Sequence, residues 1–324
     1  MSQLAVFFRW VVGSLAIGVA STGAVANPVL ASDGLTAGFG LSQFADGFPS
    51  TGFCCGPIGI AFLDGGKVMV SDYPGNVRIF ATDADGQHAG SFPVLDSLGQ
   101  GNAVGLARLG NFIYLTQQTL GRVVKLTQAG IMVGLVTDGI PSATAIVANP
   151  VNGKLYVSDC CSGSGIWIVD PATGAKIQFK TGNFDGMSVS SDGATLYAEL
   201  GGSIIGYRLS DGAVVFNSGF ISGADGTELG AGTLAGEIFV NTNNGELWEV
   251  SLTNPADKHL IVNGGTRGDF VTADPNGTLL FTQTTDIWRL TAPAGGCIGA
   301  NCNSAPEPGG LALAGLAAIR RRRH

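Results

Sequence analysis

The chain has 324 residues and a formal net charge of −7, with 13% of residues charged and 51 glycines. So few cations against an acidic balance exclude a nucleic-acid footprint, which needs clustered Lys and Arg. Three histidines leave almost no material for a His-based zinc site or a catalytic triad, and no phosphate loop, dinucleotide fingerprint or Gly-x-Ser-x-Gly elbow precedes a helical pattern.

The first element in chain order is a leader. Residues 1–26 carry one cation, Arg9, then an apolar segment from Val11 to Ala20, and Ala24-Val25-Ala26 before Asn27. A basic start, an apolar middle and a small-residue cleavage site make a secretory signal peptide. Export, with signal peptidase as a processing partner, is the expectation.

Residues 27–292 are organised by a repeat. A short apolar run recurs as Val68-Met69-Val70, Ile113-Tyr114-Leu115, Leu155-Tyr156-Val157, Leu196-Tyr197-Ala198, Ile238-Phe239-Val240 and Leu279-Leu280-Phe281. A second run follows each after a polar turn, at 77–80, 123–126, 166–169, 204–209, 247–250 and 287–290. A small-residue segment precedes each, such as 58–62. A period of about 42 residues with four short strands per unit is the pattern of a β-propeller blade. Asp-Gly and Asn-Gly pairs at Asn152, Asp211, Asn244 and Asn276 supply hairpin turns. No clear amphipathic helix is present. The predicted fold is therefore all-β, a six-bladed β-propeller. The sixth unit stops at Pro293 before a fourth strand, and the segment 35–44 is left over to complete it, so the N-terminal strand closes the last blade and removes an exposed edge. Segments 57–80 and 184–209 resemble the NHL and SMP-30/gluconolactonase propellers most closely in repeat style.

In a propeller the first strand of each blade begins at the mouth of the central channel. The six aligned starts are Ile58, Val104, Thr144, Asp185, Asp225 and Asp269, so three adjacent blades place a carboxylate on one rim. Asp185 and Asp225 precede glycine and also read as turn formers. Clustered carboxylates otherwise need a cation between them, and hard oxygen donors suit Ca²⁺. The lactonases that the chain resembles hold a central Ca²⁺ with acidic and amide side chains, and Asp185-Gly186-Met187 matches their aspartate strand. The resemblance departs from them at Ile58, where an acidic ligand is expected, and in lacking matching asparagines. Arg267-Gly268-Asp269 spells an adhesion tripeptide at a length where chance matches are common. Trp167, Trp248 and Trp288 recur on third strands, which suggests blade packing.

Six cysteines fit an oxidising compartment. Cys297 and Cys302 bracket a short loop and read as a local disulfide. Cys54-Cys55 and Cys160-Cys161 both fall on the channel-mouth side; either they bridge each other or each closes a bond between neighbours.

After a Gly/Pro/Asn linker at 293–305, residues 306–324 read Pro306-Glu307-Pro308, an apolar stretch from Gly309 to Ile319, then Arg320, Arg321, Arg322 and Arg323 before His324. This resembles the PEP-CTERM sorting signal, also catalogued as an ice-binding-protein C-terminal domain. The resemblance implies processing by exosortase in an exopolysaccharide-producing Gram-negative bacterium, and delivery to the envelope surface or beyond. Eleven residues of helix reach only ~16 Å, short of the ~20 residues that a bilayer needs, which implies transient membrane contact followed by removal. The combined expectation is an exported surface or matrix protein that binds or scaffolds, with extracellular polysaccharide as a potential partner. The alternative is a Ca²⁺-dependent lactonase or lyase acting on a sugar-derived substrate at the carboxylate trio.

Overall fold

A computed structural model describes residues 27–52, 55–95 and 102–299; the leader, the sorting tail, Cys54 and Cys302 lie outside them. The chain builds six antiparallel sheets in succession, each a blade. Blades 2, 3 and 4 have four strands each: Ala103–Leu109, Phe112–Gln117, Arg122–Thr127 and Met132–Thr137; Ala143–Asn149, Lys154–Asp159, Ile166–Val169 and Lys176–Lys180; Met187–Val189, Thr195–Leu200, Ser203–Arg208 and Val214–Asn217. Blade 1 has three, Pro57–Phe62, Val68–Asp72 and Val77–Phe80.

The ring closes as its sequence suggests, with shifted boundaries. Blade 6 consists of Val271–Ala273, Leu279–Thr282 and Ile287–Thr291, and the N-terminal strand Gly40–Asp46 pairs antiparallel to the last of these. Residues of the expected 35–44 strand up to Ala37 instead belong to a short helix, Ser32–Ala37, that ends on the left-handed Gly38 (φ 87°). Blade 5, Ala224–Gly232, Glu237–Thr242, Leu247–Ser251 and Lys258–Asn263, gains a strand at each side. Val29–Leu30 extends its outer edge, and Gly296–Ile298 pairs with Gly230–Gly232. Within the stretch that the sequence suggested as a linker, Gly296–Ile298 thus pairs as a strand.

The core lies between blades rather than within one sheet. Each seam has its own apolar cluster; that between blades 1 and 2 contains Met69, Leu106, Ile113 and Leu115, and that between blades 3 and 4 contains Tyr156, Ile166, Leu196 and Ala198. A blade is covered on both faces, so its second strand is buried throughout, as in Val68–Asp72 and Leu279–Thr282. That two-sided burial explains why the repeat shows continuous apolar triplets instead of alternation. Trp167, Trp248 and Trp288 pack against the seams.

Adjacent blades are fastened by one repeated device. In blades 1, 2, 3 and 5 the pairing of first and second strands slips by a bulge at Ile58-Gly59, Val104-Gly105, Thr144-Ala145 and Asp225-Gly226. A side chain of the second strand enters that bulge. Gly59 N–H donates to Ser71 Oγ (3.0 Å), which donates to the Val104 carbonyl of the next blade (2.6 Å). Thr116 repeats the pattern with Gly105 N–H (2.7 Å) and the Thr144 carbonyl (2.6 Å). Ser158 accepts from Ala145 N–H (3.0 Å), and Asn241 donates to the Asp269 carbonyl (3.1 Å). The glycines permit the approach: a Cβ on Gly226 would meet Asp269 O and Phe270 Cα at 2.6 Å, and one on Gly59 would meet Val104 O at 2.2 Å.

The seam between blades 6 and 1 has a further clasp. Arg289, on the third strand of blade 6, donates to Asp83 (2.5 Å) and Asp85 (2.8 Å) in the segment after blade 1, and also to Asp274. Ser71→Ala is expected to destabilise the protein by about 1–3 kcal/mol, because it leaves Gly59 N–H and Val104 C=O buried without a partner. Gly226→Ala should cost about as much or more through overpacking against backbone. Urea denaturation of the two variants beside the wild type measures both.

Candidate functional site at the channel mouth

The bulge that joins the blades also aims side chains. By displacing one residue of each first strand, it turns Ile58, Val104 and Thr144 toward the channel mouth, where they line a cavity of about 140 Å³. Asp185 and Asp269 line the same cavity from blades 4 and 6, with Arg267, Phe270, Tyr73, Gln118, Cys55, Cys160 and Cys161. Five of the six aligned starts thus line one mouth, divided by chemistry, and the sixth, Asp225, is buried behind it against Asn243. Cys55, Ile58, Val104, Ala145 and Phe270 form an apolar cluster with Tyr73 and Met187, and the carboxylates fill the opposite side.

Asp225 and Asp269 are 2% and 5% exposed. Arg267 binds Asp269 through Nε (3.2 Å) and Nη2 (2.7 Å) and reaches Asp225 at 3.9 Å. Asn243 donates to the same Asp225 oxygen, Oδ2 (2.8 Å), and to the Gly268 carbonyl (2.7 Å). Burial pushes the Asp225 carboxyl well above the usual carboxylate range, and the nearby charges of Asp185 and Asp269 push the same way. Asp225 and Asp269 also meet as side-chain hydrogen-bond partners, which favours a proton on Asp225 over one on Asp269. Burial raises Asp269 too, but Arg267 and that bond from Asp225 work against the rise. Burial opposes the charge on Arg267, and Asp269 and Asp225 outweigh it, so the guanidinium stays charged.

Asp185 is different. Its carboxyl has no hydrogen-bond partner among the described residues, and burial, followed by the charges of Asp269 and Glu199, pushes its pKa up to about 7. Glu199 holds the second-strand position taken by Ser71, Thr116, Ser158, Asn241 and Thr282 in the other blades. Blade 4 thus inserts a fourth carboxyl where its neighbours use a hydroxyl or an amide. Glu199 accepts from Gly202 N–H (2.7 Å) and from Asp185 N–H, while burial raises its pKa.

A loop of blade 3 carries a disulfide between neighbours, Cys160–Cys161, with Cα atoms 3.7 Å apart. Of the two pairings open in the sequence, the one between neighbours forms here. Asp159 fixes the loop by accepting from the backbone N–H of Cys161 (3.0 Å) and Ser162 (2.8 Å) and from the Ser162 and Ser164 hydroxyls. Burial opposes its charge, but these bonds prevail and hold its pKa below the usual range. Gln118 donates to Cys160 Sγ (3.4 Å), and Ser142, held at φ 52°, contacts the same sulfur at 3.6 Å. Cys55 and Cys297 are also disulfide-bonded.

The donor set does not fit Ca²⁺. That ion takes six to eight oxygens, whereas Ile58, Val104 and Thr144 supply one side-chain oxygen between them, and Arg267 already provides the positive charge between Asp225 and Asp269. Among the described residues no group of three His, Cys, Asp or Glu side chains is placed to hold a metal ion. Two functional residues escaped the sequence reading. Glu199 was visible as the one carboxylate in an aligned column of hydroxyls and amides. Arg267 was set aside with the chance tripeptide, although a cation two residues before a rim carboxylate is a recognisable signal.

Solved propellers share this architecture. A putative oxidoreductase (glucose dehydrogenase) from Thermus thermophilus superposes with a TM-score of 0.61 at 16% identity, covering 78% of this chain and 100% of that one. A putative gluconolactonase gives 0.61 at 17% identity over 81% and 94% of the two chains. A virginiamycin B lyase from Staphylococcus aureus gives 0.55 at 14% identity over 78% and 99%. At these identities the likeness establishes the six-bladed fold. No family profile and no curated relative matches the sequence.

The buried acids set a pH dependence. Asp185, Asp83 and Glu249 titrate at about 7 in the fold, against 3.8 to 4.5 when unfolded. The folded state therefore holds more protons across that window, and stability falls as pH rises through 7. The melting temperature is expected to be higher at pH 5 than at pH 8. Arg267→Met should widen the gap, since Asp269 then loses its cation and the cost is greatest where it must be ionised; scanning calorimetry at the two pH values reads both effects.

Proposed function

We propose that this chain is an exported recognition module whose ligand seats in the channel mouth. The observation that carries the reading is Asp185: it lines a cavity shared by five blades, and its carboxyl has no hydrogen-bond partner among the described residues. Arg267 holds Asp269 and Asn243 holds one oxygen of Asp225, whereas Asp185 has no such side-chain partner and lines the cavity.

Export is part of the same proposal. The leader at 1–26 directs secretion, and the tail at 306–324 delivers the propeller to exosortase and the polysaccharide-bearing surface. Disulfide bonding of Cys55, Cys160, Cys161 and Cys297 supports an oxidising destination. Expression in an exosortase-containing Gram-negative host should yield a surface protein that begins at Asn27 and lacks Pro306 onward, read by mass spectrometry. An intact cytoplasmic chain would refute it.

The competing reading is a Ca²⁺-dependent lactonase or lyase. The purified mature protein is expected to carry no stoichiometric divalent cation and to show no change in melting temperature with Ca²⁺. Bound Ca²⁺ that is lost in Asp185→Ala would overturn the module in favour of the enzyme.

A further inference from the structure

Resting on the channel mouth as a binding site, we infer that its ligand is a compact organic cation: an ammonium group set on Asp185, carried by a body about the size of one six-membered ring. The volume sets the body, because a cavity of about 140 Å³ is comparable to the ~150 Å³ cavity that accepts benzene. The lining sets its character. Ile58, Val104, Phe270 and Tyr73 offer apolar and aromatic surface, and the Cys160–Cys161 disulfide adds a rigid, polarisable edge.

The charge comes from the opposite wall. The groups facing Asp185 are Asp269 and Arg267 from blade 6, Asp225 from blade 5 and Glu199 from blade 4. Asp269 and Arg267 pair at 2.7 Å, and Asp225, which does not line the cavity, is buried against Asn243. Asp185 and Glu199 remain, and Glu199 is occupied by backbone donors. Asp185 is thus a half-buried carboxyl with no hydrogen-bond donor among the described residues, and the cation near it, Arg267, is already paired to Asp269. A neutral hydroxyl would supply a donor and leave the charge uncompensated, whereas an ammonium supplies both. An anion would meet three further carboxyls. Tyr73 and Phe270 add ring faces that favour a cation.

The binding is then linked to protons. The ammonium binds the ionised carboxylate, so affinity rises with pH and a proton leaves Asp185 when the ligand arrives. With Asp185 titrating at about 7, affinity should drop roughly 30-fold between pH 8 and pH 5.5, following the ionised fraction.

The test uses the full exported protein and two probes of one shape, cyclohexylammonium and cyclohexanol, by calorimetry. The amine is expected to bind at least ~10-fold more tightly than the alcohol at pH 8, a margin fitting one charge-assisted contact, and to weaken at pH 5.5. Asp185→Asn should erase the difference. Because that variant alters a buried position, the unmodified protein gives a second readout. At pH 6.5 the binding enthalpy should change between buffers of different ionisation enthalpy, reporting proton release. Equal affinities for amine and alcohol, or no proton release, would overturn the cation while leaving the mouth as a binding site. Failure of both probes to bind would overturn the site as well.

Discussion

The molecule depends on the side chain that enters the bulge of each first strand. A propeller has no single core; six sheets meet at a channel where backbone must approach backbone, and the groups there cannot all be satisfied by ladder pairing. Ser71 and Thr116 solve this by accepting a glycine N–H within their own blade and donating to a carbonyl of the next. Each such hydroxyl satisfies its own blade and joins it to its neighbour at once. Asn241 makes the same connection with an amide, reaching both Asp269 and Thr282 carbonyls. The glycine is part of the device, because a Cβ at Gly59, Gly105 or Gly226 would lie less than 3 Å from the neighbouring strand. Ring closure by Gly40–Asp46 and the Arg289 clasp then complete a circle whose joints are already fixed one by one.

Blade 4 departs from the pattern, and the electrostatics of the mouth follow from that. Its second strand offers Glu199 instead of a hydroxyl, and its first strand begins regular pairing only at Met187. The carboxyl of Glu199 reaches back to Asp185 N–H, so one acid positions the backbone of another. Two blades further on, Arg267 takes the charge that the remaining acids would otherwise share unaided. Four carboxyls persist beside Arg267 because one is held by Asn243, one is paired, one is held by backbone donors, and one is left open to the cavity.

The architecture was legible because two-sided burial writes continuous apolar triplets into the sequence. Val68-Met69-Val70 and its five counterparts are that signature, and aligning them also identified the ring of Ile58, Val104, Thr144, Asp185, Asp225 and Asp269. What failed was local. The segment 35–44 reads as strand from its apolar content, yet Ser32–Ala37 coils into a helix stopped by Gly38 and the strand starts only at Gly40. The stretch after Pro293 looks like linker because it is small and glycine-rich, and those same small residues let Gly296–Ile298 lie against Gly230–Gly232. A rim of aspartates suggested a metal because an alignment shows which residues are equivalent and not what sits between them. Arg267 comes from the loop before the aligned position, where no column records it.

Placing the joint and the site on consecutive residues gives this fold a useful independence. In five blades the residue after the rim position is small, and a Cβ at Gly59, Gly105, Gly186 or Gly226 would meet neighbouring backbone closer than 3 Å; blade 6 departs with Phe270. The rim side chain lines the mouth in blades 1, 2, 3, 4 and 6. It is apolar in blades 1 and 2, a hydroxyl in blade 3 and a carboxyl in blades 4, 5 and 6, with the same bulge recorded in blades 1, 2, 3 and 5. The side chains at these positions therefore differ from blade to blade while the joints recur, so the chemistry of the mouth is not dictated by the fold. An apolar arc facing an acidic one, with one carboxyl left unsatisfied, is not what closure alone requires. Stability would be better served by a sixfold ring of hydroxyls, and the departure from that symmetry is confined to the surface a ligand would touch.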